Sequence, residues 1–73
     1  MTDRIQTDPR ILDGKPVIKG TRISVEFILH LLRQGWSEEE ILRNYPQLQK
    51  EDLQAVYEWS RKRVQGGQNG GKV

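Results

Sequence analysis

Seventy-three residues with 12 Lys and Arg against 10 Asp and Glu give a formal net charge of +2, and a single core of this size supplies only about 3–5 kcal/mol unaided. The absence of cysteine excludes the disulfides that staple very small secreted domains and the thiolate sets that hold tetrahedral zinc. No run approaches the roughly 20 apolar residues of a membrane span, and the opening MTDRIQTDPR lacks the apolar stretch of a secretory leader, so the expected location is cytoplasmic.

The N-terminal third carries turn chemistry. Pro9 holds Asp8 extended, and Asp13-Gly14 offers an Asx or left-handed turn just before Pro16. Short extended pieces at Arg4–Thr7 and Val17–Lys19 flank these turns. Each is too short to stand alone, so they are expected to pair as a hairpin-like lid on the helices. Residues 1–23 are thus an extended segment of the same domain.

Gly20 ends the second piece, Ser24 stands at an N-cap and Gly35 at the C′ position, which places a first helix at Val25–Gln34. Val25, Ile28, Leu29 and Leu32 follow the i, i+3, i+4, i+7 spacing of one apolar stripe. Phe27 and Leu31, four apart, form a second patch roughly opposite. A helix apolar on two sides must be covered on both, either by the lid or by a second copy of the chain, so Phe27 and Leu31 are dimer-interface candidates and a homodimer is expected.

The segment Trp36-Ser37-Glu38-Glu39-Glu40-Ile41 is a capping box framed by a hydrophobic staple: Ser37 caps, Glu40 reaches back from N3, and Trp36 faces Ile41. The second helix, Glu38 to Asn44, stops at Tyr45-Pro46 because proline pushes its predecessor out of helical geometry. The period returns with Leu53, Val56, Tyr57, Ser60 and Val64 on one face of a third helix, Lys50–Val64. Gln49 is a poor cap, so this start is expected to fray. The helical core is residues 24–64, and residues 65–73, QGGQNGGKV, read as a flexible tail or linker.

The architecture is therefore mainly α, three helices with a short N-terminal hairpin segment. Helices two and three, with the short turn between them, have the lengths of a helix-turn-helix and equally those of a plain three-helix bundle. On the outward face of the third helix, Gln54 could read adenine while Lys50, Arg61 and Lys62 meet guanine or phosphate, which makes these four the DNA-contact candidates. Glu51 and Glu58 would repel the backbone, and Arg61-Lys62-Arg63 also suits a helix C-terminus without any ligand. Residues 37–64 hold six acids against five bases, net −1, an unusual balance for a DNA binder. Residues 1–36 hold six bases against four acids, net +2. Within them Lys15, Lys19 and Arg22 lie in a glycine-punctuated loop where no helix needs cations, and they are the candidates for an acidic partner surface or a phosphate. Trp59 fits core or rim packing and, if exposed, would be an interface anchor.

Two stretches resemble a known bacterial family. The first is Ile5-Gln6-Thr7-Asp8-Pro9-Arg10-Ile11-Leu12-Asp13-Gly14-Lys15-Pro16-Val17-Ile18-Lys19-Gly20-Thr21-Arg22-Ile23, and the second is GWSEEEILRNYPQLQKEDLQAV, Gly35–Val56. Together they resemble the domain-of-unknown-function family 433, whose members are similar to VapB-type antitoxins. The resemblance implies a homeodomain-like helix-turn-helix core. It also implies an antitoxin that neutralises a PIN-like ribonuclease by direct contact and represses its own operon. Asp13, where the family pattern often has a small or amide residue, and Gln49, where it has a threonine-like cap, depart from that pattern.

No nucleophile, base and pocket can be assembled, Gly14-Lys15-Pro16 is too short for a phosphate-binding loop, and the single histidine, His30, has no co-ligand. The expectation is a non-enzyme with no cofactor and no metal. It binds a PIN-like ribonuclease and itself, with operator DNA as a further partner. The alternatives are a DNA-binding regulator without a toxin and a purely protein-binding adaptor.

Overall fold

The structure, a computed structural model, describes residues 4–68, with side chains through Lys62. Val64 and the Arg63 side chain lie outside the described side chains, and the tail beyond Gln68 lies outside the described residues. Two strands, β1 (Ile5–Gln6) and β2 (Val17–Ile18), precede three helices, α1 (Val25–Arg33), α2 (Glu38–Asn44) and α3 (Lys50–Gln68). The strands pair antiparallel, Ile5 opposite Ile18 and Gln6 opposite Val17. This is the expected hairpin segment, one residue shorter at each end of β1 and at the end of β2. Both β2 side chains are buried, so the small sheet closes one side of the helical core.

Local chemistry sets the helix ends. Ser24 Oγ accepts from Phe27 N at 2.9 Å, and the Val25 N–H, which lacks an intrahelical partner, donates to Pro16 O at 2.9 Å. At the other end of α1, Gly35 takes φ +96°. Its N–H donates to Leu32 O, and Trp36 N–H donates to Leu31 O, which together make a Schellman closure. Trp36 thus follows the α1 cap and precedes the Ser37 cap of α2, where Ser37 Oγ accepts from Glu40 N and Ser37 N donates to Glu40 Oε1 at 2.8 Å. The two helices are joined by consecutive caps with no slack, which fixes their mutual angle.

Ile18, Val25, Ile28, Leu31, Ile41, Leu48, Leu53 and Val56 form the buried core, and Leu29, Leu32, Trp36, Tyr45, Tyr57 and Trp59 pack around it. Leu31 departs from the expected pattern. It is 6% exposed and lies in the core, not on an outer patch, so it is not an interface residue. The Schellman closure explains this, because it brings the apolar residue at C″, Trp36, over the one at C3, Leu31. The core axis of α1 runs through Ile28 and Leu31, and Leu29 is displaced to the flank. Phe27 remains 37% exposed, with its ring edge-on to Tyr45 at 5.6 Å.

Helix α3 packs against both α1 and α2 and buries a wider face than a single stripe. Ala55 and Asp52, both off the expected stripe of Leu53, Val56, Tyr57, Ser60 and Val64, are 3% and 5% exposed. The expected fraying at Gln49 is opposed by Asp52 at N3, whose Oδ2 accepts from Gln49 N at 2.8 Å. Half of a capping box therefore forms although the residue at the cap is glutamine. The helix continues past Val64 to Gln68, so residues 65–68 are helical where a tail was expected.

Candidate functional site

The segment between the strands is built almost wholly from turns. Asp8 accepts from Arg10 N at 2.9 Å and from the Arg10 guanidinium at 3.0 and 2.9 Å, and this bonding to Arg10 holds the Asp8 carboxyl below its usual range. Leu12, Asp13 and Gly14 all take positive φ, at 48°, 58° and 83°. The predicted turn at Asp13-Gly14 is therefore a run of three left-handed residues.

Beyond β2 the chain reverses through Ile18-Lys19-Gly20-Thr21. Thr21 N–H donates to Ile18 O at 2.9 Å and Gly20 takes φ +83°, the sign a type II turn needs at its third residue. Thr21 Oγ1 donates to Ile18 O at 2.8 Å and accepts from Ile23 N at 2.9 Å, while Ile18 N–H donates to Ile23 O and Lys19 N–H to Arg4 O. The turn is thus held from both sides by β1 and by the chain entering α1. Lys19, within this turn, and Arg22, just after it, are both exposed, and neither has a carboxylate partner among the described residues. Lys15 stands at the far end of β2, with Nζ 3.6 Å from Glu26 Oε1. The structure leaves Lys19 and Arg22, three residues apart, exposed on the chain that follows β2 and commits Lys15 in part to α1.

Lys50, Gln54, Arg61 and Lys62 are all exposed on α3, as are Glu51 and Glu58, so the outward face carries both signs. The α2 N-terminus, which in a helix-turn-helix would approach a phosphate, bears Glu38, Glu39 and Glu40. Glu38 accepts the hydroxyl hydrogen of Tyr57 and ties α2 to α3. Burial first, then the bond to Glu38 and its negative charge, push the Tyr57 phenol up to about 12. The fold thus holds the neutral phenol. Its contribution to stability is full below pH ~10, the ordinary tyrosine range, and is lost as pH rises towards 12. In urea melts the stability difference between the wild type and Tyr57→Phe should be constant from pH 7 to 9 and collapse between pH 10 and 12. A difference that stays flat through pH 12 contradicts this assignment.

Between α1 and α3 lies a groove of about 360 Å³ lined by Pro16, Val25, Glu26, Leu29, Arg33, Trp59 and Ser60. The apolar stripe pattern pointed at Leu29 as core and did not single out Glu26 or Arg33. Arg4 was also missed: its Nη1 bonds Asp52 Oδ1 at 2.9 Å, across 48 residues of sequence. A carboxylate three residues after the Gln49 cap was the one local sign of this clamp.

A family model described as "Protein of unknown function (DUF433)" matches residues 5–59, most of the chain. The chain belongs to the DUF433 family. The crystal structure of a DUF433 member from Anabaena variabilis is similar to it, with TM-score 0.82 and 32% identity, over 89% of this chain and 64% of that one. The chain therefore spans less than two thirds of that protein's length. No curated protein matches. The segment shared with DUF433 includes Lys15, Lys19, Arg22, Lys50, Gln54 and Trp59, and ends before Arg61 and Lys62. No helix among the described residues of this DUF433 chain is long and apolar enough to cross a membrane.

Proposed function

We propose that this DUF433 chain is the antitoxin-like member of a toxin–antitoxin pair, which binds and inhibits a PIN-like ribonuclease through the turn at Lys19–Arg22. The observation that carries the reading is the pair of exposed cations without a carboxylate partner among the described residues, one in and one just after a turn locked by Thr21 and by backbone pairing. Such a turn presents charge at low entropic cost, since little freedom remains to be lost on binding. A nuclease of that kind gathers carboxylates to hold a divalent metal, and a Lys or Arg entering that acidic pocket competes with the metal and with RNA phosphate.

DNA binding by α3 takes second place. Its exposed face mixes Lys50, Arg61 and Lys62 with Glu51 and Glu58, and the acidic first turn of α2 would face the phosphates. Autoregulation of an operon would then need the bound nuclease to supply further basic surface.

The test is co-expression with the product of the adjacent reading frame, which this reading expects to be a PIN-like nuclease, followed by an RNA-cleavage assay on the purified pair. Lys19→Glu with Arg22→Glu should weaken inhibition by at least about tenfold, in line with an unpaired charge-assisted contact, while the circular dichroism spectrum stays unchanged. Inhibition that survives the double reversal would rule out this turn as the contact.

A further inference from the structure

We propose that the α1–α3 groove is the contact between two copies of this chain, related by a twofold axis that crosses α1 at Leu29–His30. This proposal stands apart from the nuclease reading, since it uses a different face. Glu26, Leu29 and Arg33 share that flank of α1 and line the groove together with Trp59. Glu26 and Arg33 are seven residues apart, about 10.5 Å along the helix, with Leu29 near the midpoint. An acid, an apolar residue and a base in that order are complementary to the same stripe reversed. When α1 lies antiparallel on its copy, Glu26 meets the partner's Arg33, Arg33 meets the partner's Glu26, and the two Leu29 side chains lie near the axis. An isologous interface requires this reciprocity.

The charges are available for the contact. Arg33 is exposed and has no carboxylate partner among the described residues. Among the described residues the cation beside Glu26 is Lys15, at 3.6 Å, with side chains 71% and 59% exposed, a loose surface pair that contributes little. Trp59 flanks the groove from α3, and tryptophan is the residue type most enriched at binding hot spots. The pairing also replaces the expected Phe27–Leu31 contact. Leu31 is consumed by the core and Phe27 has an aromatic neighbour in Tyr45. A contact centred on one nine-residue helix falls at the small end of specific interfaces, so the dimer should be weak, half-formed at roughly tens to hundreds of micromolar.

Sedimentation equilibrium up to about 1 mM protein tests this. The wild type should associate to a dimer, less so in high salt. Glu26→Arg alone and Arg33→Glu alone should each be monomeric, because each places like charges opposite one another. Mixed together, those two variants should form a one-to-one heterodimer, since every charge then meets its opposite. The double variant Glu26→Arg with Arg33→Glu should dimerise again. Both positions are exposed, and circular dichroism of each variant checks that folding is unaltered. The proposal is overturned if the wild type is monomeric at 1 mM, which leaves the groove to a foreign partner, or if the single variants dimerise as the wild type does. Failure of the mixture to pair overturns it as well.

Discussion

Ile28→Ala should bring the chain to the edge of unfolding at 25 °C, with a substantial unfolded fraction already in water. Ile28 is fully buried where α1 meets the core, with no exposed surface. Truncating a buried isoleucine to alanine costs about 2–5 kcal/mol in lost transfer energy and residual cavity. A single core of this size commands only about 3–5 kcal/mol in all, so the substitution removes most of it. Ile28→Val, which deletes one methyl group, should cost about 0.5–1.5 kcal/mol and leave a shifted but cooperative urea transition. The helical signal at 222 nm in water and the urea midpoints decide the matter. An Ile28→Ala protein with the urea midpoint of the wild type would mean that α1 is held by something other than this core, the groove contact between copies being the first place to look.

The second large effect is expected at Asp52. Its carboxylate is buried and accepts from Arg4 Nη1 on one oxygen and from Gln49 N on the other. One side chain therefore starts α3 and ties it to the strand that covers the core. Asp52→Ala removes both bonds and leaves the N–H of Gln49 without its acceptor. Hydrogen bonds to charged groups contribute about 1.5–3 kcal/mol. The Arg4 side chain is 40% exposed and can turn to water, so a loss of about 2–3 kcal/mol is expected for the pair of bonds together. Arg4→Ala should cost a similar amount, because it leaves the buried Asp52 carboxylate without its cation although the bond to Gln49 remains. Amide exchange supplies the local readout: Gln49 N–H should lose protection in Asp52→Ala, and Lys19 N–H, which donates to Arg4 O, should follow it. Equal urea midpoints for wild type and Asp52→Ala would show that the clamp contributes nothing.

Apart from Ile28→Ala, these tests concern contacts that local sequence patterns do not show, and the reason is physical. A cap is satisfied within four or five residues, so the Ser24 cap, the Ser37–Glu40 box, the Gly35 closure and the Pro46 stop are legible from neighbouring residues alone. The turn chemistry at Asp13-Gly14 and Gly20 is legible for the same reason, and with it the place of Lys19 and Arg22 on an exposed loop. The family signatures, which lie within one continuous stretch of chain, are likewise readable without coordinates.

Periodicity shows that α1 has an apolar side but not where the centre of that side falls. Leu29 and Leu31 are both apolar, and only the arrival of α3 over one flank and of Trp36 over the other decides that Leu31 is core and Leu29 lines a groove. The breadth of the buried face of α3 depends in the same way on its packing against two helices at once, which is why Ala55 and Asp52 are inside. The Arg4–Asp52 and Glu38–Tyr57 bonds join residues 48 and 19 apart, beyond the reach of any helix or strand repeat.

Helix ends, turns and the exposed basic loop are thus consequences of short-range hydrogen bonding and backbone sterics, and they belong to the sequence alone. The identity of the core residues, the clamp on α3 and the charged groove are decided by how the helices cross, because burial is a property of what packs on top of a residue. The helix-turn-helix spacing of α2 and α3 needed no tertiary information to see. The three glutamates that open α2 and the mixed charge of the outward face of α3 were legible in the same way, and the structure leaves Lys50, Glu51, Glu58, Arg61 and Lys62 exposed.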